Sequence, residues 1–305
     1  HRYRDRCLCG AGMRRRQRGV ALVLVLLVTA IIILLVMQLS LTASEQVRSA
    51  QALQDRSEAA LYLHSREAAL LYTLLTEPLV PASETANPYA ANWNFRGEPF
   101  EIDGLEVTLQ DQSGLMRFPS TGVWDFRNLL AELGLGPTRA RGLSENLAQW
   151  IGIGTPGGGA FGGVMMRGGT GGPVQYFAEL RSLGGMDEEL YGRLAELMTL
   201  YPTPGFNPLT APATLLRLRM PESSLAAVLD ARRSGTLDEN RLYSIAGIAA
   251  DETVLTSAGP GIGFQFKGEY RGVVLRRHVI ARIDPYDDEP LGYWSRERFA
   301  SGVPK

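Results

Sequence analysis

Cysteine is nearly missing from this chain: there are two, Cys7 and Cys9, both ahead of residue 20. From residue 20 onward no disulfide can form, and two thiols one residue apart with no third make a poor metal site. Histidine is scarce too. Beyond residue 19 only His64 and His278 occur, and no Gly-x-Ser-x-Gly marks a nucleophile, which argues against an anchored hydrolase. His64 has no second His or Cys nearby and reads as an ordinary helix residue. The glycine-rich stretch GIGTPGGGAFGGVMMRGGTGGP lacks a Gly-Lys-Ser/Thr and a preceding strand, so it reads as a surface loop and not as a phosphate cradle.

Charge is the next absence. From Val20 to Ser44 there is none, and the core of the run is Val, Leu and Ile. That exceeds the roughly 20 residues a helix needs to cross a bilayer. A removable export signal has a shorter apolar region and a small-x-small site, neither of which is present. Arg14, Arg15, Arg16 and Arg18 precede the run and Glu45 follows it, which keeps the amino terminus cytoplasmic and sends the rest across. From Val20 onward 24 basic residues face 31 acidic ones, a balance of 24 − 31 = −7, so this part is not built to hold nucleic acid by bulk charge.

After the run, Leu53, Ala60, His64, Ala68, Leu71 and Leu75 fall on one helical stripe, which predicts that the anchor continues as one long helix until Pro78 and Pro81 end it. Phe100 and Ile102, then Asp103-Gly104, then Leu105, Val107 and Leu109 predict a β-hairpin with a primed turn. Three loosely repeated helix pairs follow, in RNLLAELGLGPTRARGLSENLAQWI, AELRSLGGMDEELYGRLAELM and ATLLRLRMPESSLAAVLDARRSG. GIGFQFKGEYRGVVLRRHVIARID predicts two or three closing strands, with Arg276, Arg277 and His278 as solvated positions of an edge strand.

Gly19, between the basic cluster and the apolar run, resembles the processing site of type IV prepilins and type II secretion pseudopilins. There, cleavage on the cytoplasmic side after glycine leaves the anchor in place and the new amine is methylated. Val20 would be the first mature, methylated residue and Leu24 the fifth. Most of that family has Glu at the fifth position; the K subunit of the type II pseudopilus, GspK, does not. The chain resembles that K family from about residue 14 to 283, through DQSGLMRFPS, the helix pair ending LAQWI, AELRSLGGMDEELYGRL and FNPLTAP.

The resemblance implies an α+β fold: a pilin-like long amino-terminal transmembrane helix and a small antiparallel sheet, with a large inserted α-helical domain. The corresponding division is a leader at 1–19, a long helix at 20–77 with its span at about 20–41, a first β region at 96–124, the insert at 125–251, closing strands at 252–284 and a polar tail at 285–305. It also implies a non-catalytic subunit of the bacterial inner membrane, single-pass, with its carboxy-terminal part in the periplasm. The implied partners are the minor pseudopilins I and J, other pseudopilins and the prepilin peptidase. The family binds calcium through an acidic loop after its Trp-Ile; here Trp150-Ile151 runs into Gly, Thr and Pro, and Leu209 replaces a family Asn, so no metal site or cofactor is carried over. The alternative is a membrane-anchored nucleic-acid binder built on helix-hairpin-helix pairs. Asp187, Glu188 and Glu189 stand directly after the Gly184-Gly185 turn, where such a module needs bare amides.

Overall fold

No proline and no glycine occurs between Val20 and Glu77, and this stretch lies in one helix, α1 (Gln17–Thr76), which stops just before Pro78. The computed structural model describes residues 17–81, 85–118, 123–150, 174, 176–246 and 254–297. Its contacts divide the chain into residues 1–60 and 61–305. In the first part every residue from Val20 to Ala50 is exposed. At 1.5 Å per residue, 20 to 41 covers roughly 33 Å, the thickness of a hydrocarbon core.

In residues 61–305 the helical stripe differs from the expected one. Leu63, Glu67, Leu70, Leu71 and Leu74 are buried, whereas His64 and Ala68 are exposed and Leu75 is half-buried. The true face is rotated by about one residue, or 100°. β1 (Phe100–Ile102) and β2 (Leu105–Asp111) form the expected hairpin. Its turn residues Asp103 and Gly104 have φ of 51° and 78°, as a type I′ turn requires. Leu105, Val107 and Leu109 alternate inward along β2.

A single 3-10 turn (Gln112–Gly114) and the two-residue β3 (Met116–Arg117) lead into the insert. Its helices are α2 (Val123–Glu132), α3 (Pro137–Trp150), α4 (Glu188–Ala195), α5 (Ala213–Arg217), α6 (Glu222–Arg233) and α7 (Glu239–Ala246). Two features differ from the expected block. The first member of the middle pair is a 3-10 segment, Phe177–Ser182, and β4 (Met198–Thr199) pairs in parallel with β3, so the insert carries a short ladder of its own. The glycine-rich loop lies outside the described residues.

The pairs do not stand alone. Leu129, Leu130, Leu143, Leu147, Leu190 and Leu194 share one core, and Leu216, Leu225, Val228 and Leu242 form a second. Successive residues of α5 serve both, Leu215 the first and Leu216 the second. Each fully buried leucine contributes about 1.5–3 kcal/mol relative to exposure.

The chain then returns through β5 (Gly261–Tyr270), β6 (Val273–Ile283) and β7 (Leu291–Glu297) to complete a five-stranded antiparallel sheet of order β1-β2-β5-β6-β7. Two expectations are corrected here. β6 is not an edge strand, because β7 pairs along it, and the polar tail begins later than residue 285 because Leu291–Glu297 has a ladder partner. A register shift between Ile280 and Ala281 marks a bulge in the β6–β7 pair, a device that twists an edge.

Candidate assembly site

Gly19 and Val20 lie in the first turn and a half of α1, and Leu24 one turn further on. Val20, Leu24, Leu27 and Ile31, spaced by four, three and four, are 68%, 59%, 60% and 48% exposed. This is a continuous apolar stripe without a charged atom, suited to packing against another apolar helix. The structure brings Gly19, Val20 and Leu24 together on one helix end.

In the head, α1 is fastened to the sheet at both hairpin ends. The Tyr62 hydroxyl donates to the Asp103 carbonyl at 2.7 Å, Arg66 pairs with the Asp103 carboxylate, and the Tyr62 ring stacks on Tyr270 with centroids 4.6 Å apart. Deeper in, Arg277 of β6 reaches the Glu67 carboxylate at 2.6 Å, with side chains 13% and 1% exposed. The Tyr293 hydroxyl of β7 donates to the same carboxylate at 3.4 Å. Sequence reading missed this pair and placed Arg277 in solvent. The signal was present: Arg277 is two residues from Leu275 and two from Val279, both buried, so strand alternation turns it inward.

The motifs DQSG and FNPLTAP, nearly one hundred residues apart in sequence, meet at Asp111, which is fully buried. Its Oδ1 accepts from the backbone N–H of Ser113 at 2.9 Å and of Gly259 at 3.2 Å. Its Oδ2 accepts from Asn207 Nδ2 at 2.9 Å and Thr210 Oγ1 at 2.8 Å. Burial nevertheless raises the Asp111 pKa above the ordinary carboxylate value, outweighing these four donors. Asn207 also donates to the Ser257 carbonyl at 2.8 Å. Glycine is required around this point: a Cβ on Gly114 would lie 2.8 Å from the Thr210 backbone, and one on Gly259 2.3 Å from Ser113 Oγ. From α6, Arg232 donates to the Ala211 carbonyl at 2.8 Å and to that of Pro208, clamping the same loop, and burial lowers its pKa to about 10. The hub fixes where the insert leaves the sheet and where it returns.

The turn before α4 is closed by its own acid. Asp187 accepts from the Leu190 N–H at 2.8 Å and pairs with Arg139, while Glu188 and Glu189 occupy the first turn. The amides that a phosphate would need there face a carboxylate. The stretch after Trp150 lies outside the described residues; its sequence from 151 to 173 contains no Asp or Glu, which does not fit calcium, so no residue is assigned to that ion.

No protein-family model matches the chain, and no curated protein matches its sequence. Among solved structures it is similar to a chain of the GspK-GspI-GspJ complex from the enterotoxigenic Escherichia coli Type 2 Secretion System, with a TM-score of 0.51 and 17% identity over 83% of this chain and 99% of that one. The fold is GspK-like. In these terms β1, β2 and β5 to β7 with α1 are the pilin-like part, α2 to α7 are the insert, and the Asp111 hub stands at their junction.

Proposed function

We propose that this chain is a non-catalytic minor pseudopilin of the type II secretion system. α1 holds it in the inner membrane as a single span with the head in the periplasm. There it caps the tip of the pseudopilus together with minor pseudopilins I and J, and takes part in export of folded proteins across the outer membrane. The observation that carries this reading is the GspK-like fold over 83% of the chain. Leu24 agrees with it. A carboxylate at the fifth mature position is useful where a neighbouring amine meets it, and a subunit at the tip has no subunit above to supply one.

Two results are expected. In cells with prepilin peptidase, mass spectrometry of the amino-terminal peptide should find the chain beginning at methylated Val20, with Gly19 as the last residue removed; an intact leader would overturn the reading. Leu24→Glu should place an unpaired carboxylate in the bilayer at a cost of about 2–3 kcal/mol. The head should still be exported, but capture of minor pseudopilins I and J and secretion in a strain lacking the native subunit should fall. Wild-type chain that captures neither partner in a pull-down leaves only a plain membrane anchor.

A further inference from the structure

Asp103-Gly104, at the β1–β2 turn, is the only Asp-Gly pair in the chain, and Asn-Gly does not occur. A glycine amide is the least hindered nucleophile a backbone offers, and no described atom lies within 4 Å of where a Cβ on Gly104 would stand. The Asp103 side chain is 52% exposed, so water reaches its carboxylate. The part of α1 that lies in the head holds both reacting groups. The Tyr62 hydroxyl donates to the Asp103 carbonyl oxygen, which belongs to the same rigid peptide group as the Gly104 nitrogen. Arg66 holds the carboxylate that this nitrogen would attack, and its guanidinium lies 5.1 Å from the centre of the Tyr62 ring. A five-membered ring closes only when the path from Cγ through Cβ, Cα and C to the next nitrogen is close to planar. A type I′ turn, with ψ of about +30° at its first central residue, does not present that path. Reaching it means turning the peptide group and the carboxylate toward each other, and each rotation breaks one contact with α1.

We infer that Asp103-Gly104 is a modification site, an isoaspartate-forming turn that Tyr62 and Arg66 keep closed while α1 is seated. When they leave, the peptide turns and the Gly104 nitrogen attacks the carboxyl carbon of protonated Asp103. The amide proton and the carboxyl hydroxyl depart as water, which leaves a succinimide. Water then adds to either ring carbonyl. One opening restores aspartate; the other leaves Gly104 joined through the former side-chain carbon, with the former backbone carbonyl as a free carboxylate. The water lost is regained and the net charge is unchanged. The backbone is longer by one carbon, in a turn whose geometry is set for two ordinary residues, so the Ile102–Leu105 pair at the mouth of the hairpin must shift. The oxygen that Tyr62 met then belongs to a carboxylate. The turn thus keeps a covalent record of the time the head spends with this part of α1 unseated.

The test holds the full chain in micelles at neutral pH and body temperature, digests it with trypsin and reads the 97–117 peptide by electron-transfer mass spectrometry, which separates isoaspartate at Asp103 from isoaspartate at Asp111. A synthetic peptide of the same residues is the unclasped reference. Wild type should isomerise at Asp103 about a hundredfold more slowly than the peptide. Tyr62→Phe and Arg66→Gln should each be about tenfold faster than wild type, as loss of one contact to a held group implies, and the double variant should approach the peptide. Lys267→Gln removes an exposed ion pair of the same sheet without touching the turn and should keep the wild-type rate. Should Arg66→Gln fail to fold by circular dichroism, Arg66→Lys, which keeps the charge but loses the fork, should fall between it and wild type. Wild type as fast as the peptide, Tyr62→Phe or Arg66→Gln no faster than wild type, an equal rise in Lys267→Gln, or isoaspartate at Asp111 in place of Asp103 would each overturn the inference.

Discussion

Arg277→Leu is expected to destabilise the head by about 3–5 kcal/mol, the usual result of removing one partner from a buried ion pair. Glu67 is 1% exposed and its carboxylate meets Arg277 at 2.6 Å. His64, at 4.0 Å, is largely in solvent and is a weak substitute. Without the guanidinium the carboxylate keeps its full desolvation penalty and loses its nearest compensation. The double variant Glu67→Leu with Arg277→Leu should recover most of the loss, because two apolar residues of similar length leave no uncompensated charge. Urea denaturation of the full chain in micelles for wild type, both single variants and the double variant gives the coupling energy directly. A single-variant loss below about 1 kcal/mol would mean that water reaches Glu67, as it does in exposed pairs.

Asp111→Ala should cost a similar amount, about 3–5 kcal/mol, since it strands two backbone N–H groups, an amide and a hydroxyl in a buried place. Asp111→Asn should cost less, and its comparison with wild type carries a pH signature. The folded-state pKa of Asp111 lies above its ordinary value, so the native state binds the proton more tightly than the unfolded chain does. Wild-type stability is therefore greatest, on this group's account, below the ordinary carboxylate pKa and declines as pH rises through the folded value. Asparagine has no such decline. The stability gap between wild type and Asp111→Asn should narrow as pH is raised from about 4 to 7, and a gap that widens over this range would contradict the burial of the carboxylate.

Local signals were the legible ones. Asp103-Gly104 between alternating apolar residues specified its hairpin because turn type and strand period are short-range properties. The length of α1 followed from the lack of Pro and Gly before Pro78. The face of α1 was misread because Glu67 sits on the true stripe, and an acid there looks like a solvent position until Arg277 is placed opposite it. A different long-range fact, the pairing of β7 along it, makes β6 an interior strand instead of the expected edge. β7 was hidden because its seven residues follow a polar, proline-containing turn, and its partners, the β6 ladder and Glu67 of α1, are distant from it in sequence or visible only in the folded chain. Gly19, Val20 and Leu24, the residues proposed for processing and assembly, come from local sequence alone, a basic cluster followed by an uncharged run, whereas the hub does not. Its two motifs can be quoted separately, but their meeting at Asp111 depends on the folded path between them.

That path bears on the order of folding. β2 and β5 are neighbours in the sheet, yet the hydrogen bond from Gly259 to Asp111 spans 148 residues. Closing a flexible loop of this length costs on the order of 4 kcal/mol in chain entropy before any strand contact is gained. The insert has two apolar cores of its own, both lying between residues 116 and 246, and once these collapse its two ends are brought near each other and the remaining search is short. The helical insert is therefore expected to form before the β2–β5 ladder closes, and a variant that slows collapse of the insert should slow completion of a sheet to which it contributes no strand.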